Sequence, residues 1–224
     1  MRRVIFVGGT DTGVGKTVVA TGIVRALRDR GATVLPVKPV ETGCDDLDRP
    51  DDALALHRAA GGGDLAAICP VRYRTPAAPW SAARREGVKH TFDGLRAHID
   101  ALDAPWVVVE GAGGLLVPLD ATHSFADLAR AVGATLVLVS RNALGTINHT
   151  RLSLEAARAR GLPVAAVVAN GSPGPGGVSH VDELRDLGLG VPVLGPLPVW
   201  SEVHLGTVAE AVEAMGLVDV LAAG

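Results

Sequence analysis

The apolar run Val4-Ile5-Phe6-Val7 passes directly into Gly8-Gly9-Thr10-Asp11-Thr12-Gly13-Val14-Gly15-Lys16-Thr17. Val18, Val19, Ile23, Val24 and Leu27 then repeat at helical spacing, and Gly31 supplies a stop. This order predicts a short buried strand, a glycine-rich turn and an amphipathic helix. Glycines in such a turn let successive backbone N–H groups face one point, and the helix N-terminus adds positive potential there. Lys16 brings a mobile charge and the Thr17 hydroxyl can reach a divalent cation. Thr12, Gly13, Val14, Gly15, Lys16, Thr17 and Val18 are therefore expected to cradle the phosphates of a nucleoside triphosphate. The spacing is a variant: the glycine usually found six residues before the Lys stands one place earlier, at Gly9.

Further apolar runs at 34–37, 106–109, 136–139, 164–168 and 193–194 are mostly followed by helical patterns. Near-continuous Val, Ile and Leu runs separated by helices predict a parallel sheet covered on both faces. Helices are expected at about 15–30, 51–60, 91–102, 124–132, 147–160, 179–187 and 206–215. The fold class is α/β, a three-layer α/β/α arrangement of the P-loop NTPase type with a mostly parallel central sheet. With 224 residues, 48% of them hydrophobic, and no linker, the reading is one domain over 1–224. Ligands in such sheets sit beyond the carboxyl ends of the strands, which selects 8–17, 38–44, 110–118, 140–149 and 170–174. The stretch 171–177, rich in Gly and Pro, is expected to loop across that edge. The least regular segment is 60–91, with Pro70, Pro76, Pro79 and Trp80, a length of loop that often covers a substrate.

A net charge of −3 and the lack of a Lys/Arg cluster longer than Arg84-Arg85 argue against nucleic-acid binding. Cys44 and Cys69 give neither a disulfide framework nor metal-ligand spacing and read as reduced thiols. No apolar stretch approaches the roughly 18 residues of a membrane span. A cytoplasmic location is expected.

The strand at 106–109 ends in Glu110-Gly111-Ala112-Gly113-Gly114. That places a carboxylate at the sheet rim, followed by glycines that let Gly111, Ala112 and Gly113 approach a ligand. Magnesium takes one or two carboxylates with hydroxyl and phosphate oxygens, so Thr17 and Glu110 would supply part of its shell; a structural Glu satisfied by a helix N-terminus is the alternative. Lys38 ends the second strand, within Lys38-Pro39-Val40-Glu41-Thr42-Gly43, and a second ammonium beside Lys16 suits a site that accumulates negative charge; an exposed loop Lys is the alternative. Thr42 could bond a polar substrate or stabilise its own turn. Asp52 opens a helix, as a third metal ligand or a complement to the dipole. Within Leu144-Gly145-Thr146-Ile147-Asn148-His149, Thr146 is expected as N-cap, and the first-turn N–H groups make an anion site.

Taken in order, the phosphate loop 9–17, Lys38-Pro-Val-Glu-Thr-Gly43, Asp52-Ala-Leu-Ala-Leu56, Val109-Glu-Gly-Ala-Gly-Gly114, Leu144-Gly-Thr-Ile-Asn-His149, Val168-Ala-Asn170 and Gly195-Pro-Leu-Pro198 resemble dethiobiotin synthetase over roughly 4–200. The resemblance implies ATP- and Mg2+-dependent ring closure. In it, 7,8-diaminononanoate (7,8-diaminopelargonate) and CO2, drawn from bicarbonate, form a carbamate that takes the γ-phosphate before the second amine closes the ureido ring. Lys38 and Lys16 are then catalytic, Thr17, Asp52 and Glu110 meet the metal, and Asn170, Pro198, Val199 and Trp200 line the base. Thr42 contacts the diamine, and Thr146, Ile147 and Asn148 of a partner subunit hold its carboxylate, which implies a homodimer with shared sites. A partitioning-type ATPase switch is the rival reading. Members of that class carry an extra Lys early in the loop, where Thr10, Asp11, Thr12 and Gly13 stand here. An amide-forming synthetase would need a glutaminase half with a nucleophilic Cys.

Overall fold

The computed structural model describes residues 2–172, 179–200 and 202–223. Its main sheet has six parallel strands: β1 (Arg3–Gly9), β2 (Val34–Val37), β5 (Trp106–Glu110), β6 (Thr135–Arg141), β7 (Val164–Asn170) and β8 (Val193–Leu197), in the order β2-β5-β1-β6-β7-β8. Alternation along β1 shows why its run is apolar throughout: Ile5 and Val7 enter one core, Val4 and Phe6 the other. β6 splits likewise, Val137 and Val139 to one side, Leu136 and Leu138 to the other. Each such side chain taken fully out of water contributes roughly 1.5–3 kcal/mol.

The first core lies under α1 (Lys16–Asp29), α2 (Asp51–Ala59), α9 (Leu205–Ala214) and α10 (Leu217–Ala223). The second lies under α5 (Phe92–Asp100), α6 (Phe125–Ala131) and α7 (Thr146–Ala159). The helix expected at 179–187 is α8 (Val181–Asp186), and the strand expected at 193–194 runs on to Leu197.

The irregular segment 60–91 holds short elements that periodicity does not reveal: α3 (Leu65–Ile68), β4 (Val71–Tyr73) and α4 (Pro79–Glu86). β4 pairs in parallel with β3 (Val40–Thr42) as a two-stranded sheet of its own. Of the loop expected at 171–177, residues 173–178 lie outside the described residues. Among the described residues no helix is long and apolar enough to cross a membrane.

β1 and β6 are neighbours, and the connection leaving β1 leads to β2 on one side while that leaving β6 leads to β7 on the other, so the two diverge beyond the carboxyl ends. This is the place where an open parallel sheet forms a crevice.

Candidate active site

The crevice is an open cavity of about 650 Å³ whose walls include Thr12, Gly13, Gly15, Lys16, Thr17 and Val18 of the loop and first turn of α1. Gly15 is the N-cap, with φ 95° in the left-handed region, and no side chain caps the turn. Its N–H groups are thereby left facing the cavity. A Cβ at Gly15 would lie 1.9 Å from Asn170 Nδ2, which donates a hydrogen bond of 2.9 Å to the Val14 carbonyl. The unusual position of Gly9 has a similar origin, because a Cβ there would meet the Asp11 carbonyl oxygen and Val14 Cγ2 at 2.9 Å. Lys16 folds back on the loop and donates to the Asp11 carbonyl at 3.0 Å. Burial, and after it the charge of Lys38, draws its pKa below the usual lysine value.

Four side chains from four separate segments meet at the cavity floor. Lys38 Nζ donates to Asp52 Oδ2 at 2.5 Å and to Glu110 Oε1 at 2.7 Å, and touches the Gly111 carbonyl at 3.2 Å. Thr17 Oγ1 is 2.8 Å from both Asp52 Oδ1 and Glu110 Oε1. Lys38 and Glu110 are buried. Burial alone would lower the pKa of Lys38, but Glu110 and Asp52 override it and hold the ammonium charged above the usual range. Burial pushes Asp52 up, yet the charge and hydrogen bond of Lys38 with that of Thr17 keep it below the ordinary carboxylate range. For Glu110, fully enclosed, burial prevails over Lys38 and the shift is upward.

The structure therefore brings Lys16, Thr17, Lys38, Asp52 and Glu110 together, with Thr42, Ala112 and Gly113 also on the cavity wall. Two carboxylates and a hydroxyl converge there, and Glu110 Oε2 is buried without a hydrogen-bond partner among the described residues. Such a set fits a hard divalent cation, which takes oxygen ligands of mixed charge.

Other expected residues stand elsewhere. Asn170 contacts the loop at Val14 and Gly15. Val199 is exposed on the chain leaving β8, and Trp200 packs against the first core. Thr146, Ile147 and Asn148 form the first turn of α7 and are not on the cavity wall. Thr146 is not the N-cap: Gly145, at φ 92°, takes that position with no side-chain cap, and Thr146 Oγ1 is buried with no partner among the described residues. Glycine enters the left-handed conformation without a Cβ penalty, so the cap position falls one residue before the hydroxyl.

Sequence reasoning named no role for Glu41, Ala77, Ala78 and Val117, which line the cavity together with Pro76 and Pro79 of the segment expected to cover a substrate. Glu41 lies inside a motif that did flag its neighbours, whereas the proline run sits where no periodicity exists. It also missed Arg141, whose Nη2 donates to the Thr12 carbonyl at 3.0 Å and lies 3.6 Å from Asp11 Oδ2.

A family model described as an AAA domain matches residues 3–205. The ATP-dependent dethiobiotin synthetase of Anaeromyxobacter dehalogenans (strain 2CP-C) is 48% identical over 171 residues, 75% of this chain and 76% of its own length. The enzyme of the same name from Corynebacterium glutamicum (strain R) is 41% identical over 201 residues, 87% of either chain. Among solved structures, a ParA family ATPase from Chlorobium tepidum TLS superposes with a TM-score of 0.56 at 15% identity, covering 98% of this chain and 96% of that one, a likeness of fold alone. Relatives this similar over three quarters or more of both chains decide between the readings the fold leaves open, and the chain belongs to the family of ATP-dependent dethiobiotin synthetases.

Proposed function

We propose that this chain closes the ureido ring of dethiobiotin from 7,8-diaminononanoate, CO2 and ATP, in the cytoplasm, as a single-domain enzyme working as a homodimer. ATP-dependent formation of dethiobiotin, a step of biotin biosynthesis, follows from the family. The observation that carries the finer reading is Lys38, a buried ammonium held between Asp52 and Glu110 at the floor of the phosphate cavity.

In this reading one amine of the substrate carries CO2 as a carbamate, and a carbamate oxygen attacks the γ-phosphorus while ADP leaves. The second amine then attacks the carbamoyl carbon, the bond to phosphate breaks, and phosphate leaves as the amine gives up its proton. Both steps gather negative charge on phosphoryl oxygens. Lys38 supplies a fixed positive charge against them, and Lys16, tethered by one hydrogen bond, swings onto the phosphates. The first-turn N–H groups of α1 bind the phosphates without reorganisation. Thr42 and the wall formed by Pro76, Pro79 and Val117 hold the chain of the diamine. Thr17, Asp52 and Glu110 would hold Mg2+, which when bound neutralises phosphate charge. Asn170, Pro198, Val199 and Trp200 border the base. Thr146, Ile147 and Asn148 of a second copy receive the substrate carboxylate at the N-terminus of α7, whose N–H groups no side chain caps.

The test is phosphate release with Mg-ATP, diaminononanoate and bicarbonate, each omitted in turn, with mass spectrometry for dethiobiotin. Product only in the full mixture is expected; ATP turnover indifferent to the diamine refutes the reading and favours a nucleotide switch. Glu110→Gln raises the Mg2+ needed for half-maximal turnover, and an unchanged titration removes Glu110 from the cation shell. Heterodimers of inactive Lys38→Ala and Asn148→Ala chains regain activity if sites are shared, and stay inactive if each site is built within one subunit.

A further inference from the structure

Helix α2 carries Asp52 in its first turn, but its N-cap is Pro50, which has no side-chain acceptor to offer. The backbone N–H groups of Asp52 and Ala53 would be orphans of the kind a capping side chain normally satisfies. Both are taken by one carboxylate from another element: Asp52 N donates to Glu41 Oε1 at 3.0 Å and Ala53 N to Glu41 Oε2 at 2.9 Å. Glu41 belongs to β3, is 6% exposed and lies on the cavity wall. We propose that Glu41 is a positioning residue, whose carboxylate caps α2 from outside and fixes the Asp52 side chain against Thr17 and Lys38.

The chemistry of the cap supports a role in the site over a role in helix stability alone. A Ser, Asn or Asp at position 50 would satisfy one N–H locally, whereas a buried charge costs free energy unless it is fully hydrogen-bonded. Glu41 is moreover placed near a second negative group, Asp52, so the arrangement accepts like-charge repulsion. What the remote cap adds is a rigid link. β3 begins two residues after Lys38, so Glu41 and Lys38 share one short segment. One stretch of chain thereby holds Asp52 twice, by its backbone through Glu41 and by its carboxylate through Lys38. Loss of a group that orients a cation ligand typically costs 10–100-fold in metal affinity.

The inference rests on the reading of Asp52 as a cation ligand, and the test separates the two. Glu41→Gln keeps the volume but can accept only one N–H, since its NH2 group faces the other; Glu41→Ala removes both acceptors. On the full chain, ATP binding is measured by calorimetry in EDTA and across a Mg2+ titration, and amide exchange over 51–56 is followed without metal. Exchange there is expected to accelerate in both variants, with unchanged ATP affinity in EDTA. The Mg2+ midpoint is expected to rise roughly tenfold or more for Glu41→Ala and less for Glu41→Gln. Unaltered exchange over 51–56, or a loosened turn with a wild-type midpoint, overturns the proposal, the latter making the cap merely structural. Wild-type ATP binding indifferent to Mg2+ refutes the cation reading itself, and exchange alone then judges the tether.

Discussion

Replacing Lys38 by Met keeps most of the side-chain volume and removes the charge from between two carboxylates. Glu110, 0% exposed, is left as an uncompensated buried anion. Breaking one side of such a pair costs about 3–5 kcal/mol. The Asp52 side chain, 38% exposed, is screened by water and adds little. In a chain of this length that loss lowers Tm by about 6–20 °C. The sign of its pH dependence follows from the same geometry. Burial already raises Glu110, and without Lys38 nothing of comparable strength opposes it, so the folded form binds a proton more readily than the unfolded form. The penalty is then absent below the unfolded carboxylate value near ~4.3 and grows as pH rises through the window up to the folded value. Differential scanning calorimetry from pH 5 to pH 8 should show the gap to wild type widening. Adding Glu110→Gln should restore most of the lost stability, because the orphaned charge is gone, while turnover stays reduced by orders of magnitude. Strict additivity of the two substitutions, within about 0.5 kcal/mol, would refute the charge argument, and near-normal turnover of Lys38→Met would remove Lys38 from the chemistry.

Gly15→Ala places a methyl 1.9 Å from Asn170 Nδ2 and strains a residue at φ 95°, so nucleotide affinity falls roughly tenfold or more. Measured against Asn170→Ala alone, the added loss from Gly15→Ala should be smaller than against wild type, and an equal loss would mean the contact is not what the glycine serves. Asp127 accepts from the Ser124 backbone at 2.7 Å and from Arg160 Nε at 3.0 Å. Burial raises its pKa, but the bonds from Ser124 and the charge of Arg160 outweigh this and hold it low. Its stabilisation is therefore present above the unfolded value and lost as pH falls through the folded one. Asp127→Asn should cost about 1 kcal/mol at pH 7, with the difference in Tm closing towards pH 2; a constant difference would exclude the cap.

The six sheet strands were legible because burial on both faces forces continuous apolar runs, as Val4-Ile5-Phe6-Val7 shows by dividing between two cores. α3 has four residues and β3 and β4 three each, too few for any period to register. Within the site, each residue of the floor announced itself by its place at the end of a strand or the start of a helix. Their mutual contacts did not, since Lys38 and Glu110 are separated by 72 positions and meet only because β2 lies beside β5 in register Val37↔Val109. The reading of Thr146 as a cap failed for a local reason: Thr and Gly both serve at helix starts, and only the φ of Gly145 settles which does. Glu41 was hidden because a cap supplied by a strand leaves no pattern in the helix it caps.

Sequence placed Lys16 and Lys38 side by side as two cations for one purpose, and the structure separates them. Among the described residues the Lys16 ammonium has one hydrogen bond, to a carbonyl, and a pKa drawn down by burial and by its fellow lysine. It can leave that bond for another acceptor, and an arriving polyanion would favour its charged form. Lys38 is clamped by two carboxylates that keep it protonated, so its position and charge exist before any ligand enters. A fixed charge stabilises whatever negative charge develops near it without reorganising at that moment, which is the larger catalytic advantage. A mobile charge instead rewards binding. Under the proposed mechanism this division suits the better-paired lysine to the floor, where carbamate and phosphate would meet, and the freer one to the phosphate loop.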